Sequence, residues 1–297
     1  LPWWAGDGTG DQFYRMMYDI YDETTEQTVR IELNPLKEER ERELTRQWFA
    51  GFSEHLKEKG WFDKAVVYLW DEPGYKPIPT ILELSTFIKS VDPDYKILLT
   101  EWPLDVLYPA VDIFCTHVVN LRDPHLPVMR KAQKAGKELW WYSCDDPYPS
   151  PTYTIPHDAL ILRVMGWSNW KYDLPGRVYF TFTWDREEDP FTTPGLGGEG
   201  NGLLVYPMQD GKPVISIRLE MHRDGIEDYE YLAILRREIA SAADRGVDAP
   251  LIADATDLLT IPADIVSRAD AYTADPQVIE AHRAIIARMI ETLKARR

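Results

Sequence analysis

A repeat of apolar, strand-like runs and helical patterns between residues 64 and 184 constrains the fold more than any other feature of this sequence. The runs are nearly continuous in apolar residues rather than alternating, which is typical of parallel strands buried on both faces. Helical periodicity fills most of the gaps between them. The predicted strands are Lys64–Trp70, Tyr95–Thr100, Asp112–His117, Glu138–Cys144 and Arg177–Trp184, and the predicted helices are Ile78–Ser90, Pro127–Ala135 and His157–Tyr172.

This order predicts the α/β class and favours a (β/α)8 TIM-type barrel over a doubly wound sheet. A dinucleotide-binding sheet needs a glycine-rich turn between an early strand and a helix. The G-x-G-x-x-G match at Gly195, Gly197 and Gly200 is followed by an apparent strand, Leu203–Tyr206, instead of a helix. We therefore predict no cofactor, and interpret these glycines as a loop over the barrel mouth.

Helical signals flank the repeat on both sides. Asn34-Pro35 resembles an N-cap with proline at the first helical position, ahead of an apolar stripe formed by Leu44, Trp48, Phe52 and Leu56. Near the C-terminus, Asp224 and Glu227 resemble a capping box, and the last helix is predicted over Pro276–Ala295. We predict a barrel domain over residues 1–225 and packed C-terminal helices over residues 226–297.

The net charge of −16 over 297 residues argues against nucleic acids and anionic membranes as partners, since both need a basic surface. The 11 Trp and 16 Tyr provide flat apolar rings with a polar edge, which suit the C–H faces of sugars. The two cysteines, Cys115 and Cys144, lie in no zinc-type spacing, and a disulfide between them is not favoured. No apolar run reaches the length of a membrane span. The composition favours a glycan or glycoconjugate ligand and no metal.

The sequence begins with Leu1-Pro2 rather than Met, so the absence of a visible signal peptide defines no compartment. If the native N-terminus is missing, a secreted or periplasmic location is consistent with the sequence. Oligomeric state is not indicated by any pattern in the chain.

Acids, histidine and tryptophan follow the predicted strands at the end where barrel enzymes place their active sites. The first strand leads into Asp71 and Glu72, and Pro73-Gly74 then stops it. The later strand ends provide Glu101, Trp102, His117, Trp140, Trp141, Tyr142, Asp145, Asp146, Trp184 and Asp185. Each residue alone also fits a solvated loop acid or a packed ring. Together, carboxylates and aromatic rings without basic residues indicate glycoside chemistry.

Four sequence strings then occur in order: YLWDEP at 68–73, LWWYSC at 139–144, SIRLE at 216–220 and RDGIEDYEYL at 223–232. They resemble the catalytic domain of glycoside hydrolase family 123. The resemblance implies a retaining β-N-acetylgalactosaminidase on a (β/α)8 barrel that uses substrate-assisted catalysis. It implies that Glu72 is the general acid/base, and that Asp71 holds the 2-acetamido group while its carbonyl oxygen attacks the anomeric carbon.

The contiguous pair Asp71-Glu72 suits this mechanism. Ordinary retaining glycosidases place two carboxyl groups about 5–5.5 Å apart across the scissile bond, and substrate-assisted enzymes are exceptions. Neighbouring strand residues point to opposite sides, so both can serve one sugar only if the backbone turns, and Pro73-Gly74 provides a turn. The candidate substrate-binding residues are Trp70, Trp102, His117, Trp141, Tyr142 and Trp184, and we expect about half of these tryptophans to belong to the core.

Two alternatives remain open from the sequence. One is a glycosidase on another sugar, with Glu72 as acid and Glu101, Asp145 or Asp146 as nucleophile. The other is a non-catalytic carbohydrate-binding barrel. The preference for N-acetylgalactosamine over N-acetylglucosamine rests on the resemblance alone.

The resemblance also makes the strand that ends at Asp71 the fourth strand of the barrel. Each βα unit needs about thirty residues, so too little chain precedes residue 64 for three complete units. Thr28–Leu33 is predicted to be the third strand. Either the barrel is incomplete at its N-terminal strands or the chain is a fragment.

Overall fold

The structure, a computed structural model, describes residues 3–4, 16–144, 149–184, 189–207 and 211–296. The strands are β1 (Trp3–Trp4), β2 (Met16–Asp22), β3 (Gln27–Leu33), β4 (Val67–Asp71), β5 (Ile97–Thr100), β6 (Ile113–His117), β7 (Glu138–Tyr142), β8 (Gly176–Val178), β9 (Val205–Tyr206), β10 (Val214–Ile215), β11 (Val266–Arg268) and β12 (Ala271–Tyr272). The helices are α1 (Glu39–Glu58), α2 (Ile78–Val91), α3 (Leu126–Lys134), α4 (Leu160–Tyr172), α5 (Ile217–Asp244), α6 (Ala249–Asp257) and α7 (Pro276–Ala295).

The α/β prediction is confirmed, and its central element is a curled parallel sheet of five strands, ordered β4-β5-β6-β7-β8. This sheet is a half-barrel, and the described strands do not close a full TIM barrel. The fifth strand is shorter than predicted, because β8 ends at Val178 rather than at Trp184.

The assignment of Thr28–Leu33 to the barrel is wrong. These residues form most of β3, which pairs antiparallel with β2 in a separate sheet of order β1-β2-β3. The side chains of residues 26–30 are exposed. The alternation of polar and apolar residues in this segment therefore suits a solvated hairpin, whereas a buried parallel strand would be apolar throughout.

The chain divides into two compact units, residues 1–116 with 128–138, and residues 117–127 with 139–297. In the first unit, α1 begins at Glu39 because the Asn34 side chain accepts the Leu36 N–H in a local turn instead of capping the helix. The face that α1 buries consists of Thr45, Phe49, Ser53 and Leu56, so Leu56 is buried as predicted and the other three positions lie one residue after those of the predicted stripe.

In the second unit, α4 packs closely against α5 at two glycines. A Cβ on Gly166 would lie 1.8 Å from the Gly225 carbonyl oxygen, so only glycine allows the backbones to approach this far. The helix α5 begins with Ser216, whose hydroxyl accepts the Leu219 N–H. Asp224 therefore lies inside this 28-residue helix, and the predicted capping box is wrong. The domain boundary at residues 225/226 falls within α5 and stays a prediction.

Asp228, further along α5, is fully buried and accepts hydrogen bonds from Arg163 of α4 and Arg283 of α7. The Trp167 indole N–H donates to the same carboxylate at 2.9 Å. Because a buried carboxylate is stable only when it is paired and hydrogen-bonded, this cluster holds α4, α5 and α7 together. Part of the RDGIEDYEYL string therefore serves packing.

Candidate active site

The strand β4 carries the carboxylate pair and contains an irregularity just before it. Its register against β5 shifts between Tyr68 and Trp70. Leu69 and Trp70 are both buried, at 0% and 7% exposure, where a regular strand would alternate between its two faces. A bulge of this kind redirects the side chains that follow it. It explains how Tyr68 reaches Asp71, which lies three residues further along the strand.

Asp71 is exposed, yet one of its oxygens is held firmly. Its Oδ1 accepts hydrogen bonds from the Tyr68 hydroxyl at 2.5 Å and from the Thr100 hydroxyl at 2.6 Å. Its Oδ2 accepts none from the described residues. Burial, together with the bond to Asp71, raises the pKa of Tyr68 well above its ordinary value, so the phenol remains a protonated donor. The carboxylate therefore presents one fixed and one available oxygen.

The backbone of Glu72 is not extended like that of the strand before it, because its φ of +45° lies in the left-handed region. Few residues other than glycine adopt this conformation. Its N–H donates to the Thr100 Oγ1 at 2.9 Å, and Thr100 is 4% exposed at the end of β5. The backbone turn expected at Pro73-Gly74 therefore begins one residue earlier, at Glu72 itself.

Glu101 follows β5 and has a structural role in this turn. One of its oxygens accepts the Gly74 N–H at 2.8 Å, and the other accepts the Trp102 N–H at 2.7 Å. Both oxygens are thus directed at backbone groups, which disfavours Glu101 as the nucleophile of a two-carboxylate mechanism. The other candidate nucleophiles, Asp145 and Asp146, lie outside the described residues, as does Asp185.

Two of the four candidate sugar-binding tryptophans are buried, which disfavours them as sugar contacts. Trp70 is buried by the bulge, and Trp141 is 1% exposed with its indole N–H donating to Asn169 at 2.7 Å. Neither ring has a face open to a ligand. Trp102, in the first unit, and Trp184, in the second, are each partly exposed.

His117 and Tyr142 lie at the ends of β6 and β7, and both are partly exposed. Their rings meet edge to face, with centroids 5.0 Å apart and an interplanar angle of 79°. The His117 Nδ1 accepts the Val119 N–H at 3.5 Å. The histidine is therefore oriented by its own backbone turn and by the tyrosine ring.

The sequence reasoning missed a polar cluster in the second unit. Tyr153, Arg177 and His222 line a pocket of about 310 Å³ between α4, α5 and β8. The His222 Nδ1 lies 2.9 Å from the Arg177 Nη2, and because arginine can only donate, this nitrogen is the acceptor. Burial and the Arg177 charge lower the pKa of His222 to about 3, so the ring is neutral near pH 7. No sequence signal links three residues this far apart.

Sequence reasoning also missed Tyr68 and Thr100. Thr100 had a weak signal, as a hydroxyl residue at the end of a strand beside an acid, whereas Tyr68 had none. Among the described residues there is no cluster of His, Cys, Asp or Glu that could hold a metal ion. Over the same residues, no helix combines the length and apolarity needed to cross a membrane. Cys115 is buried and Cys144 is partly exposed, and no disulfide joins the two.

Comparisons with known proteins assign the chain to one family. The family model "Glycoside hydrolase 123, catalytic domain" matches residues 2–235, which is most of the chain. No curated protein matches the chain. A solved structure of a family 123 glycoside hydrolase from Clostridium perfringens, whose analysis concerns glycolipid glycan hydrolysis, resembles it with a TM-score of 0.56 at 17% identity. The similarity covers 94% of this chain and 49% of that one, so the chain spans about half the length of that protein. At this identity the similarity indicates the fold alone, and the match to the family model shows that the chain belongs to glycoside hydrolase family 123.

Proposed function

We propose that this chain hydrolyses terminal β-linked N-acetylgalactosamine with retention of configuration, by substrate-assisted catalysis. The observation that carries the proposal is the arrangement of Asp71, whose Oδ1 is held by two hydroxyl donors while Oδ2 accepts no bond from the described residues. An immobilised carboxylate with one available oxygen suits the task of gripping an amide N–H. Its neighbour Glu72 is exposed on a turn, as an acid that meets a leaving group must be.

In the first step, Asp71 Oδ2 accepts the N–H of the 2-acetamido group, and the acetamido carbonyl oxygen attacks the anomeric carbon. The Glu72 carboxyl group donates its proton to the glycosidic oxygen, so the bond to the leaving group breaks and an oxazolinium forms. In the second step, water attacks the anomeric carbon, and the Glu72 carboxylate takes the proton from that water. The ring opens, the acetamido group is restored, and two inversions produce net retention.

Trp102 is the proposed stacking surface for the sugar in the first unit, because its ring is partly exposed and its backbone is fixed by Glu101. His117, Tyr142 and Trp184 remain candidate sugar contacts, and each can be tested by its own substitution. The Clostridium perfringens protein acts on glycolipid glycans, which makes such glycans the first natural substrates to test for this chain.

The experiment compares the 4-nitrophenyl β-glycosides of N-acetylgalactosamine, N-acetylglucosamine and galactose. We expect hydrolysis of the N-acetylgalactosaminide, release of the β-anomer by NMR, inhibition by the thiazoline analogue, and no hydrolysis of the galactoside. Asp71→Asn should lower kcat by about 10²- to 10³-fold, as the loss of a transition-state contact does elsewhere. Asp63→Asn, which removes an exposed acid in the same unit, is the matched control.

Three results would redirect the proposal. Equal hydrolysis of the galactoside would favour the two-carboxylate glycosidase. Binding of a glycan without hydrolysis of any glycoside would favour the carbohydrate-binding barrel. A preference for N-acetylglucosaminide would retain the mechanism and change the sugar.

A further inference from the structure

We propose that Thr100 is a positioning residue that aligns both carboxylates of the pair through its single hydroxyl group, an inference that rests on the proposed function. Thr100 Oγ1 accepts the Glu72 N–H at 2.9 Å and donates its own proton to Asp71 Oδ1 at 2.6 Å. A hydroxyl can donate once and accept at the same time, so one buried atom serves two neighbouring residues.

The acceptor half of this link stabilises the turn at Glu72. Left-handed backbone at a residue other than glycine persists only where the surroundings hold it. The Glu72 N–H donates to the buried hydroxyl of Thr100, and this bond fixes the peptide plane between Asp71 and Glu72 from which the left-handed turn starts. Thr100 therefore determines where the Glu72 side chain leaves the main chain.

The donor half of the link stabilises the orientation of Asp71. Two donors, the hydroxyl groups of Thr100 and Tyr68, converge on Oδ1. The Tyr68 hydroxyl oxygen lies 3.0 Å from the Thr100 Oγ1. With Oδ1 held in this way, rotation of the carboxylate is restricted, and Oδ2 keeps a constant direction toward the acetamido group. Misplacement of a reacting group by about 1 Å can lower a rate about 10²-fold, so losing this restriction should lower kcat.

The test compares Thr100→Val, which keeps the shape and removes the hydroxyl, with Thr100→Ser, which restores the hydroxyl. We expect Thr100→Val to lower kcat on the N-acetylgalactosaminide about 10- to 100-fold with KM changed less than about threefold, and to weaken the thiazoline inhibitor by a similar factor. Thr100→Ser should stay within about threefold of the wild type. Thr45→Val is the matched control, because Thr45 is fully buried in the same unit and its hydroxyl has no hydrogen-bond partner in the structure.

Hydrogen exchange of the peptide that carries Glu72 provides a readout independent of activity. Exchange at the Glu72 amide should be faster in Thr100→Val and unchanged in Thr100→Ser and Thr45→Val. If Thr100→Val fails to fold, Tyr68→Phe removes the other donor from Asp71 at a more exposed residue and should lower kcat with little change in KM.

The outcomes separate this inference from the proposed function. A wild type that hydrolyses no N-acetylhexosaminide contradicts the function, and the Thr100 link is then judged by exchange alone. An active wild type with an equally active Thr100→Val, or with unchanged exchange at Glu72, overturns the positioning role. Equal losses of activity in Thr100→Val and Thr100→Ser would indicate a packing role instead.

Discussion

The carboxylate of Glu101 accepts the backbone N–H of Gly74 at 2.8 Å and so ties the end of β5 to the turn that begins at Glu72. Its second oxygen is engaged with the next backbone amide along its own chain, at Trp102. An acid at the end of a barrel strand is usually interpreted as a catalytic residue. The contacts of Glu101, however, are those of a residue that holds a loop in place.

Glu101→Gln tests this interpretation. The amide keeps one acceptor oxygen and loses the other, so we expect a modest loss of stability, about 1–2 kcal/mol, and a decrease in kcat of less than about tenfold. Steady-state kinetics and thermal unfolding measure the two effects. A decrease in kcat beyond 10³-fold, or rescue of that loss by azide, would contradict the clamp role and support Glu101 as a nucleophile.

Glu72→Gln should reveal the proposed acid through its leaving-group dependence. Because glutamine donates no acidic proton, we expect hydrolysis of a disaccharide to slow by about 10²- to 10⁴-fold, the usual contribution of general acid catalysis. A 2,4-dinitrophenyl glycoside leaves without protonation and should lose much less in its first step. The test is kcat/KM for a series of aryl glycosides whose phenol leaving groups differ in pKa. Equal losses for all leaving groups would rule out Glu72 as the general acid.

The stability of the protein should depend on pH through His222. The unfolded chain protonates this histidine near its ordinary pKa of 6.5, whereas burial and Arg177 lower the folded-state pKa to about 3. The free energy of unfolding is therefore highest above pH 6.5 and decreases as the pH falls from 6.5 toward 3. The decrease is about 2 kcal/mol between pH 7 and pH 5. Urea unfolding at several pH values measures this slope.

His222→Gln should flatten that slope, because glutamine still offers Arg177 an acceptor oxygen and does not titrate. His55→Gln, at an exposed histidine of α1, should keep the wild-type slope. If both variants retain it, the pH dependence originates elsewhere.

The crossing of α4 and α5 should not tolerate a side chain at Gly225. A Cβ there would lie 2.7 Å from the Arg163 carbonyl oxygen, so the helices must separate. We expect Gly225→Ala to destabilise the protein by about 1–3 kcal/mol through overpacking. Gly51→Ala, in α1 with nothing within 4 Å of the added carbon, should be stabilising by up to about 1 kcal/mol. Denaturant midpoints for the two variants should therefore shift in opposite directions.

Periodic patterns in the sequence predicted the regular elements well. The helix α7 occupies Pro276–Ala295 as predicted, and Ile81, Leu84 and Ile88 of α2 are buried as predicted. The prediction failed where two capping signals compete for the start of one helix. Asp224 has the spacing of a cap, but Ser216 begins the helix two turns earlier, and a continuous helix then overrides the capping signal.

The candidate site was predictable in its acids and less so in its supporting residues. Asp71 and Glu72 stand out as adjacent carboxylates after an apolar run. Tyr68 would point away from Asp71 in a regular strand, and only the bulge in β4 brings the two together. Burial of Trp70 follows from the same bulge, so a rule of strict alternation cannot identify which tryptophan is accessible.

The left-handed backbone at Glu72 has an evolutionary consequence. Glycine or asparagine would occupy this position with less strain, so the proposed acid role of Glu72 is accompanied by a loss of local stability. A relative that lost the need for an acid would drift toward those residues while retaining the threonine at the end of the next strand. The residue at this one position would then distinguish working hydrolases from relatives that preserve only the scaffold.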